Sequence, residues 1–175
     1  MSRASGRTLA VVVSLALVGG PLSAAGTDAG AYKPTGDAVL KANHWPFTVE
    51  LLSVRHEMRD LPAERSRRAV IEFDGDKRLT VHALRAIDAK RLTSWLRDGY
   101  DDARYRDEAR IQEILGAFSN ALQKDEEAVI QYDAASRTTT VTVGRRAPVQ
   151  VTGAEFMRAT WAVWFEVGDG LVARL

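Results

Sequence analysis

Apolar and polar positions change rhythm several times along the chain, and each change marks an element. In residues 47–54 apolar and β-branched side chains partly alternate with polar ones, which predicts a strand. Residues 62–73 carry two signals. Pro62 followed by Ala63 and Glu64 suits a first helical turn, whereas Ala69-Val70-Ile71-Glu72-Phe73 suits a strand. Asp74-Gly75-Asp76 ends the segment in either case. Residues 79–86 form a short bounded apolar run and predict a strand. Asp88 then offers an N-cap for a helix from Ala89 to about Arg97, with Leu92, Trp95 and Leu96 on its buried face and Gly99 as its stop. A charged stretch follows, and Ile111, Ile114, Leu115, Phe118 and Leu122 recur at helical spacing, the clearest periodicity in the sequence.

The period then switches from helical to alternating. Residues 128–132, 138–143 and 147–151 predict three strands separated by turns at Ala134-Ala135-Ser136 and Gly144-Arg145-Arg146, an antiparallel meander. Thr152 and Glu155 match a capping box. Behind it Phe156, Ala159, Thr160, Val163 and Trp164 would line the inner face of a last helix, which Gly168-Asp169-Gly170 ends. Strands, helices, strands and a helix without a βαβ rhythm predict an α+β domain, an antiparallel sheet with helices on one face.

The ends of the chain add a compartment. Arg3 and Arg7, an uncharged apolar run over residues 8–18, a break at Gly19-Gly20-Pro21 and the small residues Ser23-Ala24-Ala25 predict a cleavable signal peptide over residues 1–25. The apolar run is shorter than the ~20 residues that span a bilayer, so no membrane anchor is expected to remain after cleavage. A periplasmic or secreted location follows. Residues 26–44 are expected to be a flexible lead-in, because 26–37 are rich in Gly, Thr, Asp and Pro with little to bury.

Charge narrows the partners. The chain holds 24 Lys and Arg against 23 Asp and Glu, and removing Arg3 and Arg7 with the signal leaves 22 against 23, a net of −1. No net positive field remains to attract nucleic acid, so none is expected as a partner. With no Cys, disulfides, thiol catalysis, thiolate-bound metal and a lipoprotein anchor are all excluded. His44, His56 and His82 show no metal-ligand spacing.

Several of these pieces come together in one order. Lys124-Asp125-Glu126 precedes a strand ending in Gln131-Tyr132-Asp133, and a Thr-rich strand reaches Gly144. A short strand leads to Val151-Thr152-Gly153-Ala154-Glu155-Phe156, and a helix centred on Trp164 follows. Upstream, residues 77–88 form a strand-to-helix segment with basic residues ahead of the strand and Arg85 near its end. In this the chain resembles the bacterial chalcone isomerase-like proteins, over about residues 45–175. The resemblance implies an open-faced sandwich: an antiparallel sheet, helices layered on one face, and a ligand cleft between the layers. It also favours a short helix within residues 62–73. The family includes plant isomerases that close a chalcone ring, fatty-acid-binding members and non-catalytic binding partners. Its isomerases use an Arg in a Gly-rich early strand. The corresponding Val39-Leu40-Lys41-Ala42-Asn43-His44-Trp45 has neither Arg nor Gly, so no catalytic residue is carried over.

Candidate ligand contacts come from the residues themselves. An isomerase or an acid-binding site needs a cation where negative charge sits or develops. Arg85 is the first candidate: in a strand over 79–86 it shares a face with Val81 and Ala83, and an inward Arg85 needs a ligand carboxylate, Asp88 or a nearby Glu as partner. Arg55 is a weaker candidate. Tyr132 could aim its hydroxyl into the same cleft, although a buried Tyr more often bonds within the protein. Trp95, Trp161 and Trp164 suit an apolar pocket or, at helical spacing, the core. No nucleophile elbow, phosphate loop or dinucleotide fingerprint occurs, and no cofactor is expected. The reading is an exported, non-catalytic domain binding a small apolar or fatty-acid-like ligand. Its alternatives are an isomerase of an aromatic or unsaturated carbonyl compound and a structural protein without ligand.

Overall fold

Side-chain alternation decides which face of the sheet meets the helices. The computed structural model describes residues 31–44 and 47–165. Among them are six strands and four helices: β1 (Lys33–His44), β2 (Phe47–Met58), α1 (Arg67–Glu72), β3 (Lys77–Ala83), α2 (Ala89–Asp102), α3 (Glu108–Ala117), β4 (Glu127–Asp133), β5 (Thr138–Val143), β6 (Val149–Thr152) and α4 (Ala154–Phe165). The strands form one antiparallel sheet in sequence order. The α+β sandwich read from the sequence is the observed architecture.

In β3 every second residue is buried, Lys77, Leu79, Val81 and Ala83, and the same alternation buries Ala128, Ile130 and Tyr132 in β4 and Thr139, Val141 and Val143 in β5. Leu52, Val54, His56 and Met58 continue that face in β2. The helices cover it. Leu92, Leu96 and Tyr100 of α2 point inward, as do Ile111, Ile114 and Leu115 of α3. Eight of the twelve residues of α4 are buried, the pattern of a helix enclosed on most sides. Tyr100 stacks on Phe156 and exchanges a 2.9 Å hydrogen bond with Thr160, pinning α2 to α4.

Several sequence expectations change. The expected lead-in becomes the edge strand β1 from Lys33 onward: Thr35 and Ala38 are buried, and the strand pairs with β2 through two register shifts. Helix α1 begins behind Ser66, whose Oγ accepts from the Ala69 N–H at 3.2 Å, and not at Pro62. Gly99 does not stop α2, which runs on to Asp102. A Cβ there would lie 2.7 Å from Val163 Cγ1, so the absence of a side chain at Gly99 lets α2 and α4 approach closely. The capping box is not used: Thr152 ends β6 opposite Thr138, and Gly153, at φ +122°, makes the turn and accepts from the Met157 N–H at 3.1 Å. The export signal over 1–25 and the stop at Gly168-Asp169-Gly170 lie outside the described residues.

Candidate functional site

Where the β1–β2 hairpin passes α2, the two layers leave a cavity of about 320 Å³. This falls at the small end of the ~300–1,000 Å³ of ligand pockets. Leu40 and Ala42 of β1 and Leu51 and Leu52 of β2 form the sheet wall. Ile87, Leu92 and Trp95 form the opposite wall. The walls are held rigidly. Ile87 exchanges backbone hydrogen bonds of 2.9 and 3.0 Å with Leu122. Asp88 caps α2 by accepting from the Arg91 N–H at 2.8 Å. The half-buried Trp95 ring meets the buried Trp164 ring edge-on, with centroids 5.1 Å apart. Two cations complete the lining, Lys41 and Arg91. Lys41 Nζ lies 3.0 Å from Glu50 Oε1. The Arg91 guanidinium has no ion pair or hydrogen bond among the described residues. Larger polar hollows, about 520 and 760 Å³, lie against the helix-free face, the side that none of the described helices covers, where Arg55 pairs with Asp37, Arg78 with Glu57 and Arg146 with Glu126.

The residues singled out from the sequence do not converge on this cavity. Arg85 lies beyond Ala83, the last residue of β3, and is exposed; the strand stops before it could be turned inward. Arg55 projects from the helix-free face and contacts Asp37 at 3.4 Å. Tyr132 faces the helices, yet its hydroxyl donates to Asp74 Oδ1 at 2.6 Å at the far end of the sheet. Burial and the hydrogen-bonded Asp74 raise its pKa, which suits a structural phenol rather than a proton donor. Of the three tryptophans, Trp95 lines the cavity, whereas Trp161 and Trp164 are core.

A second buried cluster occupies the far end of the sheet, under α1 and α4. Lys77 is fully buried, and its Nζ donates to the carbonyls of Val70, Ile71 and Phe73 at 2.8, 3.1 and 2.8 Å. The ammonium also lies 5.1 Å from the Trp161 ring centroid. Burial pushes its pKa down to about 7, with the Asp74 carboxylate opposing. His56 accepts from the Trp161 indole N–H at Nε2, 2.9 Å, and its Nδ1 meets Thr35 Oγ1 at 2.5 Å. Because Thr35 Oγ1 also reaches the His56 carbonyl at 3.2 Å, the hydroxyl donates there and His56 is neutral with Nδ1 protonated. Burial first and the Lys77 charge second hold its pKa down to about 3. Along β2, His56 is four residues from Leu52, about 13 Å of strand. The cluster is thus a structural knot separate from the cavity.

The sequence reading missed Arg91 and Lys77. Arg91 precedes Trp95 by one helical turn and so shares its face, a spacing legible in advance. Extending the 79–81–83 alternation backwards reaches Lys77.

The sequence matches no protein-family model and no curated protein. Among solved structures, the fold is similar to that of a fatty-acid binding protein of Arabidopsis thaliana, with a TM-score of 0.61 over 76% of this chain and 80% of that chain, at 9% identity. At that identity the likeness speaks to architecture, and it shows that this six-stranded sheet with its one-sided helical layer has the chalcone isomerase-like fold.

Proposed function

We propose that this protein is an exported, non-catalytic carrier of a small apolar ligand of the fatty-acid kind. The observation that carries the reading is the apolar cavity between the β1–β2 hairpin and α2. Burying a hydrocarbon chain there gains roughly 0.8 kcal/mol per CH₂. The name of the structural neighbour, a fatty-acid binding protein, supports the same ligand class. Export rests on the signal-like residues 1–25.

Isomerase chemistry is less well supported. Proton transfer needs a general acid or base within hydrogen-bond reach of the substrate. The titratable groups lining the cavity are Lys41, paired with Glu50, and Arg91.

The test is to recover the processed protein from the exported fraction, analyse it by native mass spectrometry and titrate it with dodecanoate. Near-stoichiometric lipid is expected, on a chain beginning near Gly26. Ala42→Phe, which places a ring in the cavity, is expected to abolish binding while leaving the circular dichroism spectrum unchanged. A clean apo protein that binds no dodecanoate would favour a structural role, and turnover of a chalcone or simple enone would favour the isomerase.

A further inference from the structure

We infer that the ligand is an amphiphile with one anionic head group, that it lies with its hydrocarbon tail inward, and that Arg91 at the cavity mouth holds the head. This rests on the carrier reading and adds orientation and head-group chemistry to it.

Arg91 sits at a boundary. With Trp95 it lines the apolar cavity and also a second hollow outside α2, whose other walls are Asp88, Lys90, Ser94 and Asp98. Arg91 is exposed, and lining both hollows places it at the border between the apolar cavity and water, the usual position of a long cationic side chain. Deeper in, the walls are Leu40, Leu52, Ile87 and Leu92. A carboxylate placed among them would be desolvated without a partner, which excludes a head-inward pose. At the mouth the choice between cations is decided by their partners. Lys41 is neutralised by Glu50 at 3.0 Å. Arg91 has no carboxylate on its guanidinium among the described residues, although Asp88 and Asp98 share the outer hollow. The Asp88 carboxylate is engaged with the backbone N–H of Arg91.

Position in the helix points the same way. Arg91 is the third residue of α2, at the positive end of the helix dipole, where a cation is disfavoured. A cation at that end, with no acid on its guanidinium and an apolar cavity beside it, is matched by an anion that arrives from outside. The planar fork of a guanidinium donates paired N–H bonds to the oxygens of a carboxylate, sulfonate or phosphate. The shared chemistry is thus an anionic head on a single apolar chain.

The experiment compares dodecanoate with dodecan-1-ol, equal in chain length and different in charge, by calorimetric titration of the processed wild-type protein and of Arg91→Met. The wild type is expected to bind the acid at least about tenfold more tightly than the alcohol, since a charge-assisted pair is involved. Arg91→Met is expected to erase that preference by weakening the acid far more than the alcohol, with Arg91→Lys restoring part of it. Carboxyl-¹³C dodecanoate gives a second readout: its bound carboxyl is expected to titrate at lower pH in the wild type than in Arg91→Met. Equal loss of both ligands in Arg91→Met, or no loss of either, overturns this inference while the carrier reading stands. Failure of the wild type to bind either compound overturns both.

Discussion

Replacing Lys77 by Met keeps the length and apolar bulk of the side chain and deletes its charge and donors. Three carbonyls at the C-terminal end of α1, those of Val70, Ile71 and Phe73, then lose the ammonium that caps them. The interaction with Val70 is buried and the other two are part-buried, so water can recover some of the loss. A buried acceptor left unsatisfied costs about 1–3 kcal/mol, and removing the ammonium also removes its own desolvation penalty. The net loss is therefore expected near 2–3 kcal/mol, or a fall in Tm of roughly 4–12 °C for a domain of this size. The pH dependence carries an independent sign. Burial lowers the folded-state pKa of Lys77 to about 7 from the ordinary lysine value of 10.5. Between those values the unfolded chain binds more protons than the folded one, so this group's contribution to stability rises with pH through that window and is smallest below it. Urea unfolding of wild type and Lys77→Met from pH 6.5 to 9.5 is expected to show a gap that widens as pH rises. A gap below about 0.5 kcal/mol at every pH, within the range of ordinary surface substitutions, would refute the claim that Lys77 ties α1 to the sheet.

Two further perturbations probe the same packing. His56 is neutral in the fold, with a pKa of about 3 against the ordinary histidine value of 6.5, so its contribution is fully present above about pH 6.5 and is lost as the pH falls towards 3, at up to about 1.4 kcal/mol per pH unit. His56→Gln, which can still accept from Trp161 and donate to Thr35, is expected to flatten the urea stability profile between pH 6.5 and 4.5. Gly99→Ala gains helix propensity but puts a Cβ 2.7 Å from Val163 Cγ1, and is expected to destabilise by about 1–3 kcal/mol, with Val163→Ala restoring much of the loss in a double-mutant cycle.

The helix-facing stripes and the meander β4–β5–β6 were legible because periodicity alone separates an inner from an outer face. Leu92, Leu96, Ile111, Ile114, Ile130 and Val141 are all buried as their spacing implied. Strand ends were not legible to the residue, and that decided the candidate site. A strand placed over 79–86 turns Arg85 inward; the observed Lys77–Ala83 strand has the same alternation and instead buries Lys77, leaving Arg85 outside. β1 was hidden by Pro34, Gly36 and its lysines, which suit an edge strand because its outer backbone pairs with no other strand among the described residues. Gly99 and Thr152 matched local stop and cap signals that tertiary packing overrode. The Arg91–Trp95 spacing is legible, but what singles Arg91 out is the lack of an acid on its guanidinium among the described residues, and pairing across elements is not written in local spacing.

The most direct test of the carrier claim is to titrate dodecanoate into the ¹⁵N-labelled processed protein and map the amide and indole shifts. Binding in the cavity requires perturbations concentrated at Leu40, Ala42, Leu52, Ile87, Leu92 and the Trp95 indole, on both walls. Shifts confined to Arg55, Arg78 and His82 on the helix-free face, or no shifts at saturating dodecanoate, would contradict it.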